Sequence, residues 1–225
     1  MRAVIKIIRG RLALVSLTLA LTCALTWGGW PSTARAQAPE AETSYYSTRS
    51  VLAAFFPGSE RVTYQTFALD PALRTRLAQR LGYAPARDRY TIFVAHTQGR
   101  VDGYAVIDDE LGLHQPITFA TRLSPRYIVE RVEIMVYREP RGDEVRDARF
   151  RKQFEGKTAQ CPMRLDRDID AVSGATVSSA SIAVGVRRAA ILVEELAPGM
   201  SAAASTAATS RAGIGATAQR TSVGR

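Results

Sequence analysis

Apolar residues change their spacing along this chain, and the change marks its elements. From Tyr90 to Tyr137 they recur at every second position, in four segments: Tyr90–His96, Val101–Ile107, Ile117–Leu123 and Tyr127–Tyr137. Period two puts alternate side chains on opposite faces of a strand. The links between these segments, such as Gln98-Gly99 and the stretch opening at Gly112, are too short to hold crossover helices. The pattern predicts an antiparallel meander. In the last segment Val132, Ile134 and Val136 alternate with Glu133, Met135 and Tyr137, which predicts one buried face.

Helical spacing flanks the meander. Before it, Arg49–Phe56 reads as a short helix stopped by Pro57-Gly58, and Val62–Leu69 as a strand. Asp70-Pro71 is a strong helix start, with Asp as N-cap and Pro at the first helical position. Leu73, Leu77 and Leu81 then line one face, and Gly82 ends the helix. After the meander, Glu139-Pro140-Arg141-Gly142-Asp143-Glu144 is a turn, and Val145–Phe154 a short helix with Phe150 and Phe154 on one side. A long helix follows over Val177–Leu196, with the stripe Ile182, Val186, Ala190 and Val193, closed by Ala197-Pro198-Gly199. The predicted fold class is α+β: an antiparallel β-sheet packed with helices.

The ends carry no such periodicity. Arg2, Lys6, Arg9 and Arg11 precede an apolar run from Leu12 to Trp27, then Pro31 and the small-residue pattern Ala34-Arg35-Ala36. This is the layout of a secretory signal peptide over 1–36 and implies export across the cytoplasmic membrane, with the periplasm as the expected address. The run is short for a membrane span, and a retained N-terminal membrane anchor is the alternative. Residues 37–47 read as a flexible lead-in, 37–97 as an N-terminal extension with a helix-strand-helix pattern, and 198–225 as a disordered tail rich in Ala, Ser, Thr and Gly.

Charge changes the picture once the leader is set aside. The chain has 225 residues and a formal net charge of +9. Without Arg2, Lys6, Arg9, Arg11 and Arg35, 25 basic residues face 21 acidic ones, a net charge of +4. Acids and bases are interspersed, which argues against nucleic acid as a partner. Cys161 is then the lone cysteine, so the fold does not depend on an internal disulfide, and no metal-ligand spacing is present. Asp166, Asp168 and Asp170 alternate, but a calcium loop would need Gly near 171 and Glu at 177, where the chain has Ala171 and Val177. His96 and His114 stand alone and read as structural histidines.

Candidate chemistry concentrates at the start of the long helix, in Asp170-Ala171-Val172-Ser173-Gly174-Ala175-Thr176-Val177-Ser178-Ser179. A helix start offers unpaired N–H groups and the positive end of a macrodipole, where phosphate binds readily. Gly174 and Ala175 leave room for an anion, and Thr176 offers a hydroxyl that phosphate can esterify. Thr and Ser are also favoured helix caps, so a plain cap explains a bare Thr-Val-Ser-Ser equally well.

With Asp170, Ser173, Gly174, Ala175, Thr176 and Ser178 at every fixed position, the stretch resembles the covalent flavin-attachment motif of the FMN-binding domain family. That family includes flavoprotein subunits of the sodium-pumping NADH:quinone reductase and of Rnf-type complexes. Glu139, Gly142 and Gln153-Phe154-Glu155-Gly156-Lys157 resemble a second family segment that comes near the flavin. The resemblance covers 98–197, taken as the FMN-binding domain. It implies FMN joined to Thr176 as a phosphodiester by an extracytoplasmic flavin transferase. It further implies electron transfer with a redox protein or a membrane electron-transfer complex, rather than a self-contained enzyme. Two other functions stand beside it: a flavin-dependent reductase with its own small-molecule substrate, for which Glu139 or His114 would supply an acid, and a flavin-free secreted binding module.

Overall fold

The computed structural model describes residues 42–215, with side chains to 200. The signal-peptide segment 1–36 and the last ten residues of the tail lie outside the described residues.

Six antiparallel strands form one sheet in the order β1-β6-β5-β4-β3-β2. They are β1 (Thr43–Ser44), β2 (Arg61–Ala68), β3 (Arg89–Thr97), β4 (Arg100–Leu111), β5 (Pro116–Leu123) and β6 (Val129–Tyr137). The meander is as the alternation predicts, and the fold is α+β. Two further strands, β1 and β2, flank the four of the meander. β2 pairs with β3 along its whole length, from Arg61 opposite His96 to Ala68 opposite Arg89, so residues 61–97 belong to the same sheet as the rest. The lead-in is also drawn in: Thr43 and Ser44 pair with Tyr137 and Val136, and the Tyr45 N–H donates to the Met135 carbonyl at 2.8 Å. An outer strand completes backbone bonds that β6 would otherwise leave open, which residue polarity alone does not reveal.

Helices cover both faces. α1 (Thr48–Phe55) starts in a capping box in which Ser47 and Ser50 bond each other's backbone N–H groups. α2 (Pro71–Leu81) starts as expected, with the Asp70 side chain accepting from the Leu73 N–H at 2.8 Å, and ends on Gly82 at φ +84°. A broken helical stretch comprises a 3₁₀ turn (Asp143–Arg146), α3 (Ala148–Arg151) and a second 3₁₀ turn (Lys152–Phe154). Phe150 and Phe154 meet edge to face in the core, 5.4 Å between ring centres. The long helix α4 runs Thr176–Gly215. It does not stop at Ala197-Pro198-Gly199, and residues 198–215 are helical rather than disordered. Pro198 removes one N–H, but the Ala-rich run beyond it has high helix propensity. By length and composition Thr176–Met200 could cross a membrane, yet 67% of its apolar window is buried in this fold, as befits a core helix.

The main core lies between one sheet face and α2 and α4, with Leu77, Ile92, Phe119, Ile134, Ile182 and Val186 at its centre. The other face holds a smaller cluster of Phe55, Phe56, Ala95, Ala105, Ala120 and Met135 under α1. β6 therefore buries both faces, not one. Glu133 is buried too, because Arg131 and Arg151 both bond its Oε1 at 2.7 Å. The reason for the change of phase is a bulge: Thr118 faces Val136 while Phe119 faces Ile134. The extra residue, Met135, shifts the alternation by one, so Val132, Ile134 and Tyr137 all join the main core.

One ion pair ties α4 to the sheet. Arg188, 7% exposed, donates from Nε and Nη2 to Asp108 Oδ2 (2.8 and 2.5 Å) and also pairs with Glu110. Burial works against the Arg188 charge, but Asp108 and Glu110 outweigh it and hold its pKa above the ordinary range. Gly185, three residues earlier, permits this approach, since a Cβ there would lie 2.2 Å from the Phe119 ring. Arg188→Met is expected to destabilise the protein by about 3 kcal/mol, because buried Asp108 keeps only half-exposed Arg87 as an ion-pair partner, beside the Asp109 N–H. Adding Asp108→Leu should recover part of that loss. Urea denaturation of the two variants checks both statements.

Candidate functional site

A tight turn places the motif. The Ala175 N–H donates to the Val172 carbonyl at 2.9 Å, closing a turn with Ser173 and Gly174 at its centre. Gly174 has φ +80° and Ser173 has no positive φ, the pattern of a type II turn, which favours glycine at its third position. A Cβ on Gly174 would meet nothing within 4 Å. Its role here is therefore the backbone conformation, more than the room it leaves.

Four bonds anchor this turn to the fold. The Gln153 amide accepts from the Asp170 N–H at 2.7 Å and donates to the Asp170 carbonyl at 3.2 Å. The Val172 N–H donates to Ser179 Oγ at 3.1 Å, and the Ser179 N–H to the Ala175 carbonyl at 2.8 Å. Ser179 is fully buried and Ala175 nearly so, which fixes the first turn of α4 against the core.

Ala175 thus occupies the cap position, and Thr176 is the first residue of α4. The Thr176 hydroxyl caps nothing. It is exposed and makes no hydrogen bond among the described residues, and the same holds for the Ser173 hydroxyl and the Asp170 carboxylate. The N–H groups of Thr176, Val177 and Ser178 open the helix without intrahelical acceptors. The motif divides in two: Asp170, Ser173, Gly174 and Thr176 face outward, while Ala175 and Ser178 point into the protein.

The second predicted segment does come against the first. The Tyr137 hydroxyl donates to the Arg141 carbonyl at 2.7 Å and lies 3.1 Å from Ser178 Oγ, which donates to it in turn. Burial pushes the Tyr137 phenol pKa up, so it keeps the proton this arrangement needs. Gly142, at φ +88°, packs so closely that a Cβ would stand 2.8 Å from the Tyr137 hydroxyl and 2.9 Å from Ala175 Cβ.

Glu139 has a different place from a solvated turn acid. It is 8% exposed, and its Oε1 accepts from the N–H groups of His114 (2.6 Å) and Gln115 (3.0 Å). Burial opposes its charge, but these backbone donors outweigh it and hold the carboxyl below its usual range. Glu139 therefore shapes the β4–β5 turn. The Ser181 hydroxyl, donating to the Leu111 carbonyl at 2.6 Å, brings that turn beside the start of α4. Leu111 and Leu113 in that turn, and Val177 in the first turn of α4, are exposed apolar side chains. On the other flank an open cleft of about 370 Å³ is lined by Glu144, Asp147, Phe150, Gln153, Asp170 and Val172, among others. Asp168 also has an internal task. Burial opposes its charge, yet the N–H groups of Arg164 and Met163 and the Lys157 ammonium hold its pKa low.

Sequence reasoning missed Tyr137, Gln153 and the Leu111–Leu113 corner as parts of the site. Gln153 lay within a segment already singled out; Tyr137 carried no signal beyond a strand aromatic. Among the described residues no group of three or more His, Cys, Asp or Glu could hold a metal ion.

The site is thus an α+β domain's helix start that presents a free threonine hydroxyl and open backbone N–H groups beside an apolar corner. Residues 112–191 match the model of the FMN-binding domain family, in agreement with the motif. Two solved structures are similar in part. NqrC of Shewanella oneidensis is 19% identical, over 60% of this chain and 79% of that one, with a TM-score of 0.41. A Na(+)-translocating NADH-quinone reductase subunit of Parabacteroides distasonis is 16% identical, over 64% of this chain and 84% of that one, with a TM-score of 0.37. No curated protein matches the chain.

Two expectations follow. Gly142→Ala should destabilise the protein by roughly 2–3 kcal/mol, since it adds a clash to a positive φ, whereas Gly174→Ala should cost roughly 1 kcal/mol from φ alone; urea midpoints should rank them so. For Glu139, a carboxyl pKa lowered on folding stabilises above its ordinary value of 4.5, and that contribution is lost as pH falls through the folded value. The stability gap between wild type and Glu139→Gln should be full at neutral pH and shrink on acidification. A gap independent of pH would contradict it.

Proposed function

We propose that this protein is an electron-transfer flavoprotein that carries FMN covalently, as a phosphodiester to the Thr176 hydroxyl. The observation that carries the reading is the state of that hydroxyl. It is exposed and unbonded at a helix start, within a motif whose inward half is locked in the core. A threonine kept only as a cap would sit one residue earlier and bond a backbone N–H.

The surrounding residues fit the group. The open N–H groups of Thr176, Val177 and Ser178, with the α4 dipole, favour a phosphate there. Leu111, Leu113 and Val177 supply an apolar wall for a flat aromatic ring. The exposed Asp170 carboxylate, without a partner among the described residues and six residues before Thr176, is a feature that a flavin transferase can read. When bound, the flavin supplies reversible hydride and single-electron chemistry. The protein's own part is to hold it, tune its exposure and leave an edge open to a redox partner.

Of the two acids the reductase alternative could use, Glu139 is committed to the N–H groups of His114 and Gln115, which leaves only the exposed His114 for that reading. The leader pattern in 1–36 supports export, where a covalent cofactor is not lost by dilution. The partners implied are an extracytoplasmic flavin transferase and a redox protein or membrane electron-transfer complex.

Co-expression with a flavin transferase should make the denatured wild-type band fluoresce under flavin excitation, and Thr176→Ala should leave it dark. A dark wild-type band, with the transferase active on another acceptor, would refute attachment.

A further inference from the structure

The molecule has a second concave surface, two turns of α4 beyond the motif. Val184 lies eight residues after Thr176, about 12 Å along the helix axis. The cleft beside it has a volume of about 390 Å³. Its apolar lining comes from three elements: Leu81 and Tyr83 at the end of α2, Met163 in the loop before the motif, and Val184 on α4. Leu81 and Met163 are buried and form a floor, while Tyr83 (39%) and Val184 (42%) remain exposed as walls.

Arg164 and Arg167 also line this cleft, both exposed. Neither guanidinium has a hydrogen bond, ion pair or ring contact among the described residues. The third arginine, Arg187, is already engaged, donating to the carbonyls of Leu81 and Arg80 at 3.0 Å each. Asp168 is engaged with Lys157, and Glu194 and Glu195 with Arg80; Asp166, between the two arginines in sequence, is exposed, lies outside the cleft lining and makes no ion pair with either. Two guanidinium groups without an ion pair therefore frame an apolar hollow whose lining, among the described residues, includes no carboxylate.

We propose that this cleft binds a small amphipathic anion: a ring or short apolar body on Tyr83, Met163 and Val184, and a carboxylate or phosphate between Arg164 and Arg167. The volume is that of a small-molecule site. Paired guanidinium groups match the two oxygens of such an anion. The site is separate from Thr176, and the inference does not rest on the flavin reading.

The probe is 2-naphthoate, titrated into the ¹⁵N-labelled full-length protein. Amide shifts should centre on Tyr83, Met163–Arg167 and Val184, and affinity should fall with rising salt. Arg164→Gln with Arg167→Gln should weaken binding at least about tenfold, the loss expected for charge-assisted hydrogen bonds. Lysine at both positions should restore part of it, and uncharged 2-naphthamide should bind the wild type at least as poorly as naphthoate binds the double glutamine variant. Affinity unchanged by the double substitution would overturn the proposal. So would shifts centred on Leu111, Leu113 and Val177, which would place the probe on the proposed flavin wall. Shifts at the cleft that follow protein concentration rather than probe would make a second copy of the chain its occupant and overturn it equally.

Discussion

The hydroxyl of Tyr137 joins the parts on which the site depends. It donates to the Arg141 carbonyl and accepts from Ser178, so one buried atom links the end of β6, the loop after it and the first turn of α4. That geometry needs Tyr137 on the α4 side of the sheet, and the bulge at Met135 puts it there. Without the bulge, Tyr137 would share the face of Met135 and point away from the helix. Gly142 then closes the contact, because no side chain fits between the Tyr137 hydroxyl and Ala175. A buried polar atom with both bonding directions filled is costly to disturb, which makes this a firm base for an exposed turn.

Firm support beneath and freedom above is what an attachment site requires. Ala175, Ser178 and Ser179 are spent on packing and hydrogen bonds, and Thr176 and Ser173 are left free. A modifying enzyme must reach the hydroxyl in an extended, accessible turn, yet the finished cofactor must keep a defined position. The type II turn over Val172–Ala175, clamped at Asp170 by Gln153, satisfies both demands. Glu139 does the corresponding work for the β4–β5 corner, where Leu111 and Leu113 stand exposed.

Most of the strand order and the caps of α2 were legible in the sequence, because period-two alternation and Asp70-Pro71…Gly82 are local signals. So was the resemblance of the stretch at the start of α4 to the FMN-binding domain family, since its residue types and spacing are contiguous. The bulge in β6 was not: an extra residue in one strand is defined only against the register of its neighbour. The same limit hid β1, whose two residues are strand only because β6 offers an open edge. Glu139 was legible as a residue of interest, but its burial depends on donors 24 and 25 positions away. The long run of α4 past Pro198 shows local propensity outweighing a helix breaker, Pro198-Gly199, that reads as decisive in the sequence alone.

Covalent attachment stands or falls on the Thr176 oxygen. The most direct measurement is tandem mass spectrometry of the tryptic peptide Asp168–Arg187 from protein made with a flavin transferase. That peptide holds Ser173, Thr176, Ser178, Ser179 and Ser181 together, so fragment ions separate the candidate oxygens. Attachment at Thr176 predicts a mass increment of FMN less water, borne by fragments that contain Thr176 and absent from those that end at Ala175. The increment on Ser173 or any other serine, or an unmodified peptide from protein exposed to an active transferase, would contradict it.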